Sequence, residues 1–436
     1  MAWRVPGNFM ASQLKLWQWY KGQLPPDGAS PLSLLMIQPT AFCNIDCSYC
    51  YLPHRDQKRR FDLDLIEPLF TKLIDCGLLG RQLSVLWHAG EPLAVPLEFY
   101  QSAFERIGAI TAKLSQVTQV IQTNAMLLTQ AHCDLIKRFR VRMGVSIDGP
   151  EFIHDRHRRT RSGKGTFRQV MAGVELLRKN RIPFDVIAVL TNASLDYPHE
   201  IYDFFRALDV RELAFNFDER EGINTQTSFA GPEVEQRYIS FFAALLGRMV
   251  HDRARMRIRE LSGALGAVTA SLFDQAGVST ECNPFGILSV DTAGNLATYS
   301  PELLDLSDSD QGRFTIGTVS DIDFRAIFND AKFLRMNDAI QAGVKQCRDT
   351  CGYFRLCGGG APSNKLAENG RFDSTETLYC RFKKQLLIDI VEDFTVSSLV
   401  HARQNRRRPG TAAASSQRAP SAHIANTVAP IQEKAQ

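Results

Sequence analysis

The sequence predicts an α/β protein: a parallel sheet with covering helices, followed by a cysteine-rich C-terminal region. Three observations predict it. Between residues 33 and 250, six short apolar runs alternate with stretches of helical period, the pattern of successive strand–helix units. The first run leads into a cysteine loop, and the other five end in polar turns such as HAGEP and SIDGP. Eight of the ten cysteines lie in that loop or in the C-terminal part of the chain.

Residues 1–32 carry Pro25, Pro26 and Pro31 and read as an extension with one short helix near Leu14–Tyr20. The expected strands are Ser33–Gln38, Leu83–Trp87, Thr118–Gln122, Arg142–Ile147, Phe184–Leu190 and Glu212–Phe217. The expected helices cover roughly 63–76, 97–114, 129–139, 167–179, 198–208 and 233–250. The strands are followed by the cysteine loop, HAGEP, QTN, SIDGP, LTN and NFDEREG in turn. Ordinary βα turns also favour Gly, Asn and Asp. Here the cysteine loop lies on the same edge, and the carboxyl edge of a parallel sheet is where ligands bind.

The pattern changes after residue 250. His251–Leu265 reads as a basic helix within a linker, 251–281. Leu288–Tyr299, with DTAGN at its middle, reads as a β-hairpin. Residues 282–398 form the cysteine-rich domain, closed by a helix over 382–395. From Arg403 the chain is rich in Ala, Ser, Pro and Arg, and 399–436 is expected to be a disordered tail.

Composition narrows the class. A chain of 436 residues suits two domains, and 44% hydrophobic with 22% charged residues is an ordinary globular balance. The net charge of +4 is too small to argue for nucleic acid. No apolar run reaches the ~18 residues of a membrane span, and the N-terminus lacks a secretory core, so a cytoplasmic protein is expected. Close-spaced cysteines then point to metal, whereas Cys76 and Cys133, alone inside helices, read as small buried thiols.

The first constellation is PTAFCNIDCSYCYLP, in which Cys43, Cys47 and Cys50 form a C-x3-C-x2-C array. Three thiolates on one loop hold three irons of a cubane and leave the fourth open, whereas electron-transfer clusters use four cysteines. Structural zinc wants a fourth ligand, and none follows. This array resembles the radical S-adenosylmethionine (radical SAM) superfamily, whose members cleave SAM at the open iron of a [4Fe-4S] cluster to make a 5′-deoxyadenosyl radical. The resemblance implies a partial (β/α)6 barrel over 33–250. It implies that Tyr49 belongs to the cluster loop and that Gly90 and Glu91, after His88, meet the SAM amino group. It places Ser146 and Asp148 at the ribose and Arg158 at the SAM carboxylate. Gln122, Asn124 and Leu213 fall on the third and sixth strands of that site. His88-Ala89 departs from the commoner Gln-Gly of the family.

The second constellation is Cys347-x3-Cys351-x5-Cys357 with Cys380. It resembles the SPASM extension of radical SAM peptide maturases, which holds two auxiliary clusters. Two ligands of the first of these would fall at Tyr299 and Ala361, so the resemblance implies at least one auxiliary [4Fe-4S] cluster, on Cys347, Cys351, Cys357 and Cys380. Cys282 is then either a remnant ligand or a structural thiol. A zinc site is the alternative for the four. The run CGGGAPSNK lacks the phosphate-loop spacing.

The segments GGGAPSNKLAENGRFDSTETLYCR and FNFDEREGIN resemble the GrrM/OscB group of cyclophane-forming maturases. That implies a ribosomally made, Gly-rich precursor peptide as substrate, a bond between an aromatic ring and a Cβ, and a donor such as flavodoxin or ferredoxin. A base is then needed, and Asp218, Glu219, Glu221 and Glu302 are candidates by position. Two other readings stand beside it. A formylglycine-generating sulfatase maturase needs an Asp beside the hairpin cysteine, where this chain has Tyr299-Ser300. A non-catalytic iron–sulfur regulator or scaffold would not need Glu91, Ser146 and Arg158 as a set.

Overall fold

All six apolar runs fold as strands. They are β1 (Leu32–Ile37), β2 (Leu79–Trp87), β3 (Gln116–Thr123), β4 (Arg142–Ser146), β5 (Phe184–Leu190) and β6 (Glu212–Phe217). They pair in chain order and in parallel. In the computed structural model, residues 32–112, 116–275, 277, 279–308 and 312–406 are described. The expected helix near Leu14–Tyr20 lies outside them. The chain divides into two units, Met1–Asp393 and Phe394–Gln436.

Between the strands run α1 (Ile66–Asp75), α2 (Leu97–Thr111), α3 (Gln130–Phe139), α4 (Glu151–His157), α5 (Phe167–Lys179), α6 (Pro198–Ala207) and α7 (Pro232–His251). The β5 residues FDVIAVL alternate buried and half-buried, the period-2 signature of a strand. Thr129 caps α3 by accepting from the His132 amide, and Pro198 and Pro232 open their helices where no amide partner is needed. This is the α/β order of a partial (β/α)6 barrel. Cys133 is buried in α3, and the Cys76 thiol donates to the Leu73 carbonyl at the end of α1.

The expected helix over His251–Leu265 is corrected. The helix α7 ends at His251, and a turn with positive φ at Arg253 and Ala254 reverses the chain. A two-residue strand β7 (Arg257–Ile258) then extends the sheet beside β6, and α8 runs over Arg259–Leu272. Two-residue pairing leaves no periodicity for a sequence to show.

The hairpin forms as expected, from β8 (Ile287–Val290) and β9 (Asn295–Thr298). Its placement is new: β8 pairs in parallel with β1, so the hairpin continues the barrel sheet. Gly317–Thr318 adds a last strand on β9, giving ten strands in one open sheet. Beyond it come α9 (Ala331–Thr350), α10 (Pro362–Asn369) and α11 (Leu386–Arg406). The last corrects the tail at its start, because residues 399–406 are helical; 407–436 lie outside the described residues. Phe382, just before α11, packs its ring 5.0 Å from both Phe229 and Tyr238, which ties the chain around Phe382 to the barrel.

Candidate active site

The carboxyl ends of the strands open on a cavity of about 720 Å³. Cys43, Cys47 and Cys50 line it, joined on the wall by Tyr49, His88, Gly90, Glu91, Gln122, Asn124, Ser146 and Arg158. Glu219, Glu221 and Glu302 line it as well. Asp148, Leu213 and Asp218 do not; Leu213 is fully buried in β6, and Asp218 is spent on the Ser228 amide and hydroxyl.

The cysteine loop is clamped by its neighbours. Arg55 reaches Asp46 at 2.8 Å, and the Cys43 amide donates to the Arg55 carbonyl at 2.9 Å. The Glu91 amide donates to the Phe42 carbonyl at 2.7 Å, which needs the HAGEP turn close against the loop. Gly90 makes that possible. Its φ is +65°, and a Cβ there would stand 2.7 Å from the Phe42 oxygen and closer still to that of Thr40. On the other side, the Ile223 amide donates to the Tyr51 carbonyl at 3.1 Å, tying the turn after β6 to the same loop.

Glu91 is 1% exposed and organises the second strand end. Its carboxylate accepts from the Leu93 amide at 2.9 Å, the Thr123 hydroxyl at 2.5 Å and the Asn124 amide at 2.8 Å. Asn124 in turn donates to Asn44 at 2.8 Å, and Gln122 donates to Ser146 at 2.9 Å, so three strand ends are cross-linked by side chains. Loss of solvation pushes the His88 imidazole down to about 4, so it is neutral, and its Nδ1 has no partner among the described residues.

Asp148 works beneath the wall. It accepts from the Tyr49 hydroxyl at 2.5 Å and the Val189 amide at 2.9 Å, and it pairs with Arg158 at 3.0 Å. Burial pushes its carboxyl up, but Arg158 and His154 outweigh that and hold it below the usual carboxylate range. Arg158 is 7% exposed and remains cationic because Asp148 offsets its burial. Its Nε is buried without a partner among the described residues. A guanidinium donor left over on a cavity wall suits a carboxylate ligand.

The acidic side of the cavity comes from later loops. Asn364 donates to Glu219 at 2.7 Å, yet burial pushes that carboxyl up to about 7. Glu221 is pushed well up by burial and by the neighbouring Glu302 and Glu219; Glu302 is raised by burial, and Ser300 donates to it. Across from them Lys383 pairs with Glu260 at 3.0 Å. Burial pushes Glu260 up, but Lys383 and Arg259 outweigh it and hold it down. Reading the sequence missed Glu281, Lys383 and Lys384, which also line the cavity. They sit on elements whose approach to the barrel depends on contacts more than 100 residues apart, and no local signal marks them.

A second cavity, of about 300 Å³, is walled by Cys347, Cys351, Cys357 and Cys380 together. Cys282 lies off it, its buried thiol donating to the Gly360 carbonyl at 3.3 Å. Tyr299 fills its position with a fully buried ring whose hydroxyl donates to Asn337 at 2.8 Å, and Ala361 is buried too. Every cysteine is a free thiol. Burial pushes Cys43 and Cys47 up to about 12, so thiolates there need a strong local positive charge, which metal supplies. Cys43, Cys47 and Cys50 border the first cavity and Cys347, Cys351, Cys357 and Cys380 the second, so each set of thiols faces one shared space.

Residues 37–205 match the radical SAM superfamily. The chain belongs to that superfamily. It is 42% identical over 366 residues to the uncharacterized protein sll1766 of Synechocystis, which covers 83% of this chain and 91% of that protein. It is 33% identical over 193 residues to the serine-type anaerobic sulfatase-maturating enzyme of Bacteroides thetaiotaomicron, 43% of this chain and 46% of that enzyme. The fold is shared with native anSMEcpe with bound AdoMet and Cp18Cys peptide, at TM-score 0.65 and 19% identity over 86% of this chain and all of that one (100%). Streptococcus suis SuiB bound to precursor peptide SuiA gives TM-score 0.57 and 15% identity over 88% and 82%. This radical SAM enzyme is thus related to the anaerobic sulfatase maturases and shares the fold of proteins solved with bound peptides. Among the described residues no helix is long and apolar enough to cross a membrane.

Proposed function

We propose that this enzyme is a peptide maturase that installs three-residue cyclophane crosslinks, joining an aromatic ring carbon to a Cβ in a ribosomally made, Gly-rich precursor. The observation that carries the reading is one cavity holding both halves of an oxidative hydrogen removal. The Cys43, Cys47 and Cys50 thiols and Arg158 stand at one end, and the carboxyls of Glu219, Glu221 and Glu302 share the same space.

Cys43, Cys47 and Cys50 would hold the SAM-binding [4Fe-4S] cluster, which with SAM supplies a hydrogen-abstracting radical. The chain does the positioning. Arg158, kept charged and oriented by Asp148, offers its free Nε to the SAM carboxylate, and Glu91 and Asn124 fix the strand end beside it. Gln122 and Ser146, already hydrogen-bonded to each other, present the polar edge for the ribose. Glu219 is the proton acceptor for ring rearomatisation, because a carboxyl held near 7 can be ionised and still basic at neutral pH. Glu221 is pushed well up by burial and by the neighbouring Glu302 and Glu219, which lessens the negative charge beside Glu219. Cys347, Cys351, Cys357 and Cys380 would hold an auxiliary cluster, and Tyr299 and Ala361 stand where a further one would need two of its cysteines. An external one-electron donor of the flavodoxin or ferredoxin type completes the reading.

A formylglycine-generating activity is the second reading, favoured by the sulfatase-maturating relative. Against it stands Ser300, which is hydrogen-bonded to Glu302 where that family's pattern calls for an Asp. Co-expression with a neighbouring Gly-rich precursor, followed by tandem mass spectrometry, separates the two. Loss of two hydrogens per link with ring attachment is expected. Formylglycine or a thioether in the product overturns the cyclophane reading, and absence of 5′-deoxyadenosine from reduced, reconstituted enzyme overturns both.

A further inference from the structure

Lys365, on α10, is 2% exposed. Its Nζ donates to the Cys347 sulfur at 3.3 Å, on the wall of the second cavity. No ion pair among the described residues gives it a carboxylate. The backbone makes room for it: a Cβ on Gly343 of α9 would stand 3.2 Å from the Lys365 Nζ and closer to the Phe372 carbonyl. A buried lysine side chain with no carboxylate partner wants an anion close by. Four thiolates around a cubane core, by contrast, leave the filled site anionic. The position of Lys365 therefore makes sense as the counter-charge of an anionic occupant.

We propose that Lys365 is the charge partner of the auxiliary cluster and raises its reduction potential. It is a positioning residue, acting on the cluster through the Cys347 sulfur. The inference rests on the reading that Cys347, Cys351, Cys357 and Cys380 hold a cluster. A hydrogen bond and a positive charge at a ligand sulfur both stabilise the reduced, more negative state. The electron concerned is one: the substrate-centred carbon radical, once bonded to the ring, loses an electron and a proton. A cluster held by Cys347, Cys351, Cys357 and Cys380 would accept that electron, and Glu219 takes the proton. The surroundings give the transfer a short route. Tyr379 lines the substrate cavity and Cys380, the next residue, lines the cluster cavity, while Lys384 borders both, its Nζ 5.8 Å from the centre of the Tyr379 ring.

The test is a redox titration followed by electron paramagnetic resonance. It uses the full chain carrying Cys43→Ala, Cys47→Ala and Cys50→Ala, so that only the auxiliary signal remains. Iron content is measured in parallel, with and without Cys347→Ala. In Lys365→Met and Lys365→Gln, the equilibrium constant for reduction is expected to fall at least tenfold, about 59 mV for one electron. Lys365→Arg is expected to restore most of it. If the neutral variants fail to retain iron while Lys365→Arg retains it, charge compensation is supported; loss in all three overturns it. Equal potentials at equal iron content overturn the role of Lys365 and leave the cluster assignment intact. Cys347→Ala with unchanged iron overturns the cluster assignment, and this inference with it.

Discussion

At the scale of single residues, two groups carry sharp consequences. Glu219 has a folded value of about 7 against an ordinary 4.5. As a base it must be ionised, so turnover of the precursor is expected to rise with pH through about 7, and Glu219→Gln is expected to remove that limb along with most of the rate. The sign of the stability effect follows from the same shift. A carboxyl raised on folding favours the folded state below its unfolded value and loses that contribution as pH rises through its folded value. Thermal unfolding of Glu219→Gln should therefore match wild type in acid and exceed it above pH ~7; a variant less stable than wild type at pH 8 would count against the buried-base reading. Arg158 is the opposite case. Removing it leaves Asp148, 1% exposed, as an uncompensated charge. Arg158→Ala is expected to cost about 3 kcal/mol in denaturant unfolding of the apoprotein, the low end for a broken buried pair, because the Tyr49 hydroxyl and the Val189 amide still serve Asp148. Adding Asp148→Asn should recover much of that loss while SAM binding, followed by calorimetry, stays abolished. Additive losses in the double variant would show that the two charges are not coupled.

At the scale of elements, what is local is legible in the sequence. Alternation places β1 to β6, helical period places the long helices, and DTAGN places the hairpin turn. The array of Cys43, Cys47 and Cys50, with the turns after each strand, marks the cavity edge, and the turns carry Glu91, Asn124, Ser146 and Glu219 of its wall. What stays hidden lacks a local cause. The helix α4 has only seven residues behind Pro150, too few for a periodic stripe. The delayed start of α8 depends on the reversal at Arg253 and Ala254. The hairpin's pairing with β1 joins residues more than 250 apart. Asp148 shows the same limit in a side chain: its motif marks the right turn, but only packing reveals that its oxygens are spent on Tyr49, Arg158 and Val189. The HAGEP turn gives this scale its prediction. With φ of +65° and the Thr40 and Phe42 carbonyls against its α-carbon, Gly90→Ala must push the cysteine loop away. The variant is expected to fold, because β2 and β3 are intact on the sheet, but to reconstitute about four fewer irons and to release no 5′-deoxyadenosine. Full iron loading with normal SAM cleavage would show that the loop does not depend on this close approach.

At the scale of the whole molecule, the question is whether the cysteine-rich region is an appendage to the barrel or part of its sheet. The strand β1 pairs with β2 on one side and, through Leu34–Ile37, with Ile287–Val290 on the other. Leu35 and Ile37 are fully buried there, and the amides and carbonyls of that edge are satisfied by β8. Phe382 adds a second tie by completing the ring cluster of Phe217, Phe229 and Tyr238. Cutting the chain before Cys282 removes both. It exposes a parallel strand edge flanked by apolar side chains, the arrangement that recruits another chain, and it opens the aromatic cluster to water. The 1–281 fragment is thus expected to be insoluble or to elute as aggregate, although it contains the whole radical SAM match at 37–205 and all three cysteines of the loop. Cutting after Arg406 removes none of these contacts and should leave solubility and iron content unchanged. A monomeric 1–281 fragment with cooperative unfolding would show instead that the six-strand barrel stands alone. The hairpin would then be a docked addition, and the part of the cavity wall that carries Glu302 and Lys383 could be exchanged without disturbing the SAM site.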